Sequence, residues 1–322
     1  MPTTRPTLLI TRRLPQAVED RAARDYDVRL NPEDTAYDGP TLTRKAEGAD
    51  AILACASDRL DQAAIEGLPE SVRAVATFSV GVDHIDLAAA KERGLMVSNT
   101  PDVLTDATAD VALLLMLGAA RRASEGDRMI RADGWTGWTP TQMLATHMTG
   151  KRLGIVGMGR IGRTLARRAR AFDMEIHYHN RRPLPDGEAE GAIFHGDLDS
   201  LLAVSDFLSL HCPATPETNR LLNAETIAKL PDGAIVVNTA RGAVVDDEAL
   251  IAALKTGKLA AAGLDVFEGE PNVHPGYRDL ANTFLLPHLG SATVETRNAM
   301  GFRALDNLDA FFSGRNPGDR VV

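Results

Sequence analysis

The stretch KRLGIVGMGRIGRTLARRARAF, residues 151–172, decides how this chain folds. The apolar run RLGIV reads as a strand that feeds directly into Gly157, Gly159 and Gly162 at GxGxxG spacing, and an amphipathic helix follows at once. The first glycine allows a tight turn, the second lets backbone approach a pyrophosphate, and the third permits close packing of helix on strand. A diphosphate is then favoured at the positive helix N-terminus. A glycine triplet alone is a weak signal, but strand, loop and helix together predict a dinucleotide-binding unit.

Such a unit places an acid about 20 residues further on, at the end of its second strand, to bind the ribose 2′-hydroxyl. Here the second strand reads EIHYHNRRPLP (175–185) and ends in Asn180, Arg181 and Arg182. A carboxylate would repel a 2′-phosphate, whereas an arginine fork pairs with it. The pattern favours NADP(H), with NAD(H) also usable; solvated loop charges are the other reading of the pair. His177 and His179 share a strand face without further ligands at metal spacing, so they read as sheet histidines and no metal is expected.

Working outward, the same strand-helix alternation fills the chain. TLLIT (7–11), YDVRL (26–30), DAILA (50–54), RAVAT (73–77) and LMVSN (95–99) form one series, and RLGIVG, EIHYH, AIFH, DFLSLH, AIVVN, AGLDV and FLLPH form another. Near-continuous apolar strands separated by helices imply parallel sheets covered on both faces. The expectation is an α/β protein of two doubly wound domains with a cleft between them. The run VALLLMLGAA (111–120) is too short for a membrane span and reads as a helix buried on nearly all sides. A net charge of -9 argues against nucleic-acid or anionic-membrane partners. Cys55 and Cys212 lie in apolar settings as free buried thiols, and MPTTRPTLLITRRLP lacks a signal-peptide core, so a cytoplasmic location is expected.

Three segments of the second series place polar residues beyond strand ends, where ligands of such folds gather. They are Arg241 in NTARGAVVDDEAL, Glu270 in GLDVFEGEP and His288 in LPHLGSAT. Reduction of a 2-oxo acid needs a bidentate cation for the carboxylate and an imidazolium that donates a proton to the carbonyl oxygen. A carboxylate beside the imidazole fixes its tautomer and raises its pKa. Arg241, Glu270 and His288 form that set.

These three blocks, in this order behind the glycine motif, resemble the D-isomer-specific 2-hydroxyacid dehydrogenase family over essentially the whole chain. Within it, FSVGVDHID, NTPDVLTDATAD, GWTGWTP and the arginines after the second cofactor strand most resemble glyoxylate/hydroxypyruvate reductases. The resemblance implies a Rossmann-type cofactor domain, residues 100–289, and a flavodoxin-like substrate domain made of residues 1–99 and 290–322, with hinges near 99 and 290. It implies Arg241 as carboxylate anchor and polariser, His288 as general acid/base and Glu270 as its partner, with the backbone amides of Val80 and Gly81 binding the substrate carboxylate as the domains close. Cofactor contacts are implied at Thr105, Arg160, Ile161, His211, Pro213, Thr239, Ala240, Arg241, Asp265, His288 and Gly290, with Asp265 on the carboxamide.

It further implies a homodimer embraced by the apolar helix and the GWTGWTPTQM arm (roughly 100–150), with Gln142 or Met143 near the partner's site. The expected reaction is NADPH-dependent reduction of glyoxylate and hydroxypyruvate. Alternatives are a relative with another 2-oxo acid substrate and, more remotely, a dinucleotide-sensing corepressor. Glu270, where formate dehydrogenases carry Gln, argues against that subgroup. The absence of a further domain after residue 322 argues against a regulated phosphoglycerate enzyme.

Overall fold

The computed structural model describes residues 5–322, in two compact units. One runs up to Leu104 and resumes at Ala292–Val322; the other is Thr105–Ser291. The first division falls after Leu104 rather than near 99, because the backbone of Asn99 and Thr100 is still tied into the first unit. Asn99 N–H donates to Asp319 O at 3.2 Å and Thr100 N–H to Ser79 O at 2.9 Å.

The first unit contains β1 (Thr7–Ile10), α1 (Gln16–Asp25), β2 (Asp27–Arg29), α2 (Gly39–Lys45), β3 (Ala51–Cys55), α3 (Gln62–Gly67), β4 (Ala74–Phe78), α4 (Leu87–Arg93) and β5 (Met96–Ser98). Its sheet is parallel, in the order β2-β1-β3-β4-β5. Successive strand residues face opposite sides, so the unbroken apolar strands need cover on both. Leu8, Ile10 and Leu53 pack with Val18 of α1 on one face, and Leu9, Ile52 and Val75 pack with Leu42 and Ile65 of α2 and α3 on the other.

The second unit contains α5 (Thr105–Ala120), α6 (Ala123–Arg131), β6 (Arg152–Val156), α7 (Arg160–Arg170), β7 (Glu175–His179), β8 (Ile193–His195), α8 (Leu198–Leu202), β9 (Phe207–Leu210), α9 (Ala224–Lys229), β10 (Ala234–Asn238), α10 (Asp247–Thr256), β11 (Leu259–Leu264) and β12 (Thr283–Leu285). Its seven parallel strands run in the order β12-β11-β10-β9-β6-β7-β8. The chain builds outward in both directions from β6, so the connections part at the carboxyl ends of β6 and β9, the switch point at which doubly wound sheets hold ligands.

The last helix, α11 (Val294–Phe312), returns to the first unit, where Ala304, Leu305 and Leu308 join the core beneath β1, β3 and β4. Helix α5 is less enclosed than its sequence suggests. Ala112, Leu115, Met116 and Ala119 are buried against the second sheet, but Leu114 is 47% exposed and Val111, Leu113 and Leu117 are only partly covered. The helix lies on one face of the sheet, and its outer side is only partly covered by the described residues. Among the described residues no helix is long and apolar enough to cross a membrane, and no His/Cys/Asp/Glu group is arranged to hold a metal. Both cysteines are free thiols, Cys212 buried and Cys55 half-buried.

Candidate active site

Steric demands shape the glycine loop. Gly157, directly after β6, has φ +95°, a conformation that L side chains rarely adopt, and its N–H donates to His179 O at 3.0 Å. A Cβ there would lie 2.7 Å from backbone atoms of His211 and Cys212, so the loops after β6 and β9 touch at this point. A Cβ on Gly162 would lie 2.6 Å from Gly157 O, which is why α7 can sit so close to its strand. Gly159 differs: it caps α7, and a Cβ there would meet nothing within 4 Å. Space in front of the helix is free of protein, and Arg160 and Ile161 form the first turn with no acidic residue. The arrangement fits a dinucleotide diphosphate.

At the neighbouring strand end, Asn180 Oδ1 accepts from Met158 N–H at 2.7 Å, so this side chain braces the glycine loop. Arg181 and Arg182 follow it, both exposed and without a hydrogen bond or close ion pair to any described residue, though the charge of Arg181 helps to lower the Glu217 pKa. The strand histidines engage one another: His177 Nδ1 lies 3.0 Å from His195 Nε2, and His179 Nδ1 lies 2.9 Å from His195 O. Burial lowers the pKa of His177.

His211, after β9, is pushed down to about 4 by burial and is therefore neutral at physiological pH. Its ring is held by Ser209 Oγ at 2.8 Å and Thr239 Oγ1 at 3.3 Å. Pro213 is exposed on the same loop, and Thr105 begins α5.

Arg241 stands in the turn after β10. That turn is clamped by Asn238, a residue only 1% exposed. Its Oδ1 accepts from Ala240 N–H at 2.9 Å and its Nδ2 donates to Arg241 O at 2.9 Å. Ala240 is buried beneath the turn, and Arg241 Nη1 donates back to Ala240 O at 2.8 Å. Gly242 then passes so near the β11 loop that a Cβ would lie 1.9 Å from Phe267 C. Only glycine lets the Arg241 turn and the Glu270 loop come together.

Glu270 accepts from Phe267 N–H through Oε1 at 2.8 Å and meets His288 Nδ1 through Oε2 at 2.7 Å. Burial alone would raise the Glu270 pKa; the His288 hydrogen bond, the Phe267 amide and the charges of His288 and Arg241 together bring it below the usual value. The Glu270 hydrogen bond in turn raises His288 against the opposing effects of burial and Arg241. Residues far apart in sequence thus form one electrostatic unit.

Asp265 also has a structural task that the sequence reading did not give it. It is 1% exposed, and its carboxylate accepts from Leu289 N–H at 2.6 Å and Gly290 N–H at 2.8 Å, while its own carbonyl accepts from His288 N–H at 2.9 Å. Both oxygens are committed to the turn that carries His288, where φ is +54°. Asp265 thus braces the backbone that carries His288, and each of its oxygens keeps a further lone pair. Sequence reasoning missed this and the role of Asn238; the only signal was a polar residue closing each apolar strand.

In the first unit, Val80 and Gly81 follow β4. Every carbonyl of residues 79–81 is occupied: Ser79 O by Thr100 N–H at 2.9 Å, Val80 O by Asn99 Nδ2 at 2.8 Å and Gly81 O by Ser79 Oγ at 2.7 Å. The amides of Val80 and Gly81 donate to no described residue.

A nicotinamide-type dinucleotide site carrying an Arg/Glu/His set defines a class of hydride-transfer enzymes, and comparison with known proteins places the chain within it. Residues 113–290 match the model of the D-isomer specific 2-hydroxyacid dehydrogenase NAD binding domain. A glycerate dehydrogenase of Hyphomicrobium methylovorum is 48% identical over 309 residues, 95% of this chain and 96% of that protein. A glyoxylate reductase of Thermococcus litoralis is 41% identical over 98% of this chain and 97% of that one. An NADPH-dependent glyoxylate/hydroxypyruvate reductase of Sinorhizobium meliloti, solved with NADP and malonate, superposes with a TM-score of 0.89 at 34% identity, covering 99% of this chain and 97% of that one. The chain belongs to the D-isomer specific 2-hydroxyacid dehydrogenase family.

Proposed function

We propose that the protein reduces glyoxylate and hydroxypyruvate to glycolate and D-glycerate, with NADPH as the preferred cofactor. The observation that carries this reading is the His288–Glu270 pair at 2.7 Å, with its pKa values driven apart and Arg241 acting on both. When bound, the reduced nicotinamide supplies the hydride. His288 spends Nδ1 on Glu270, so Nε2 delivers the proton to the carbonyl oxygen as negative charge develops there. Glu270 keeps the imidazole charged until that moment. Arg241 binds the substrate carboxylate and polarises the carbonyl, and the Val80 and Gly81 amides provide a second anchor for the carboxylate. Arg181 and Arg182 hold the 2′-phosphate.

The partly uncovered face of α5 and the exposed Trp135, Trp138 and Leu144 of the arm support a homodimer through this surface, since a lone chain gains nothing by leaving two tryptophans to water. A cytoplasmic location accords with the acidic composition and free thiols. The deciding experiment is a matrix of kcat/KM for NADPH and NADH against a panel of 2-oxo acids. Highest values for NADPH with glyoxylate or hydroxypyruvate are expected; a bulkier acid at the top, or equal use of both cofactors, would overturn the corresponding assignment.

A further inference from the structure

Behind the Val80–Gly81 loop lies a chain of polar side chains in which every proton can be assigned. Ser79 Oγ is 2.7 Å from Gly81 O, a group that can only accept, so the single hydroxyl proton of Ser79 points there. Thr77 Oγ1 is 2.8 Å from Ser79 Oγ, and Ser79 has no proton left, so Thr77 must be the donor. His84 Nε2 is 2.9 Å from Thr77 Oγ1, whose own proton is spent, so Nε2 must carry the hydrogen. Donation therefore runs one way, from His84 through Thr77 and Ser79 to the Gly81 carbonyl. Thr77 and Ser79 are both buried, so water cannot readily replace a missing link.

The start of the chain is anchored as firmly as its end. The carbonyl of His84 accepts from Leu60 N–H at 2.9 Å, and Asp86 N–H donates to Leu60 O at 2.8 Å, which pins His84 and the segment just after it to the end of the β3–α3 connection. Asn99 and Thr100 hold the other two carbonyls of the loop.

We propose that the His84–Thr77–Ser79 relay is a positioning device that keeps the Gly81 carbonyl turned inward, and thereby keeps the Val80 and Gly81 amides available to the carboxylate of the 2-oxo acid. This rests on the reading that those amides bind the substrate. The relay touches neither cofactor nor reacting atoms, so it acts on substrate affinity alone.

The test is steady-state kinetics on the full-length enzyme with NADPH and glyoxylate. Ser79→Ala and Thr77→Val each remove one proton of the relay and should raise KM for the oxo acid about tenfold, the effect of one lost buried hydrogen bond. KM for NADPH and kcat at saturation should stay within about twofold of the parent enzyme. Thr77→Ser restores the hydroxyl and should restore KM, a rescue that a mere packing role of the threonine methyl would not give.

A crystal structure of the parent enzyme with NADPH and oxamate separates the two ways of failing. Oxamate carboxylate on the Val80 and Gly81 amides, with KM unmoved in Ser79→Ala, overturns the relay and leaves the loop's assignment standing. Oxamate bound away from those amides overturns the assignment and the relay with it. A rise in KM that Thr77→Ser fails to rescue also counts against the relay.

Discussion

On the proposed reading, the two units meet the substrate's anionic groups with opposite means. In the first, the loop after β4 carries no formal charge of its own at Val80 and Gly81; neutral amides face outward because the three carbonyls around them are engaged. In the second, the turns after β10, β11 and β12 bring Arg241, Glu270 and His288 together as charged side chains, held by the buried polar residues Asn238 and Asp265. Fixed dipoles are enough to orient a carboxylate that keeps its charge throughout a reaction. A mobile proton is needed where charge develops, and a proton carrier must be a titratable group with neighbours that tune it. Changes in the first unit should therefore weaken substrate binding, and changes in the second should remove chemistry.

The largest expected effect tests the second half of that contrast. His288→Ala should lower kcat/KM for oxo-acid reduction by about 10²- to 10⁴-fold, the range for losing a positioned general acid, and Arg241→Ala should have an effect of similar size. Direct titration with NADPH, followed by nicotinamide fluorescence, should show cofactor affinity nearly unchanged in His288→Ala. A loss of activity below about tenfold, or a parallel loss of NADPH binding, would remove His288 from its assigned role.

The same contrast explains what could be read from sequence. Gly157, Gly162 and Gly242 leave a local trace, because a left-handed turn or a backbone contact excludes every other residue. Arg241, Glu270 and His288 are legible because their chemistry is specific and each stands just past an apolar strand. Asn238 clamps only the next three residues, a local turn that its side-chain type allows but does not announce, whereas the work of Asp265 depends on backbone amides more than twenty residues further along the chain. The brace that Asp265 provides to the His288 turn therefore left no mark in the sequence, whereas its expected place beside a ligand rested on the family resemblance. The Thr77–Ser79–His84 relay is more opaque still, because Thr and Ser at the end of a strand are common and only three dimensions show that their protons run one way. The outer face of α5 is a different case: composition makes the helix apolar all round, and only packing shows which of its residues the chain leaves partly uncovered.

A middle-sized effect is expected at the cofactor edge, where charge selects a ligand without taking part in chemistry. Replacing Arg181 and Arg182 together by alanine should raise KM for NADPH about tenfold, since both guanidinium groups are exposed and screened. KM for NADH, which lacks the 2′-phosphate, should stay within about twofold, and the NADPH effect should shrink as salt rises. Equal changes for both cofactors would return the pair to solvated loop charges.

The smallest effect, and the most discriminating, concerns pH. His288 is raised chiefly by its hydrogen bond to Glu270, and Glu270 lies below its ordinary value once His288, Phe267 N–H and Arg241 have offset burial. Reduction requires the imidazolium, so kcat/KM should hold through neutral pH and fall as pH rises through the raised His288 pKa. The pair's contribution to stability has the same alkaline limit: a raised histidine is stabilising below its unfolded value, and that stabilisation is lost as pH rises through the folded one. On the acid side the contribution from Glu270 is lost only as pH falls through its lowered pKa. Glu270→Gln removes the group that raises His288 most, so the alkaline limb of kcat/KM should move to lower pH. Ser79→Ala should leave that limb where it is, because the first unit's loop carries no proton of the reaction. Coincident shifts in both variants would mean that the two anion-handling devices are not as separate as their construction indicates.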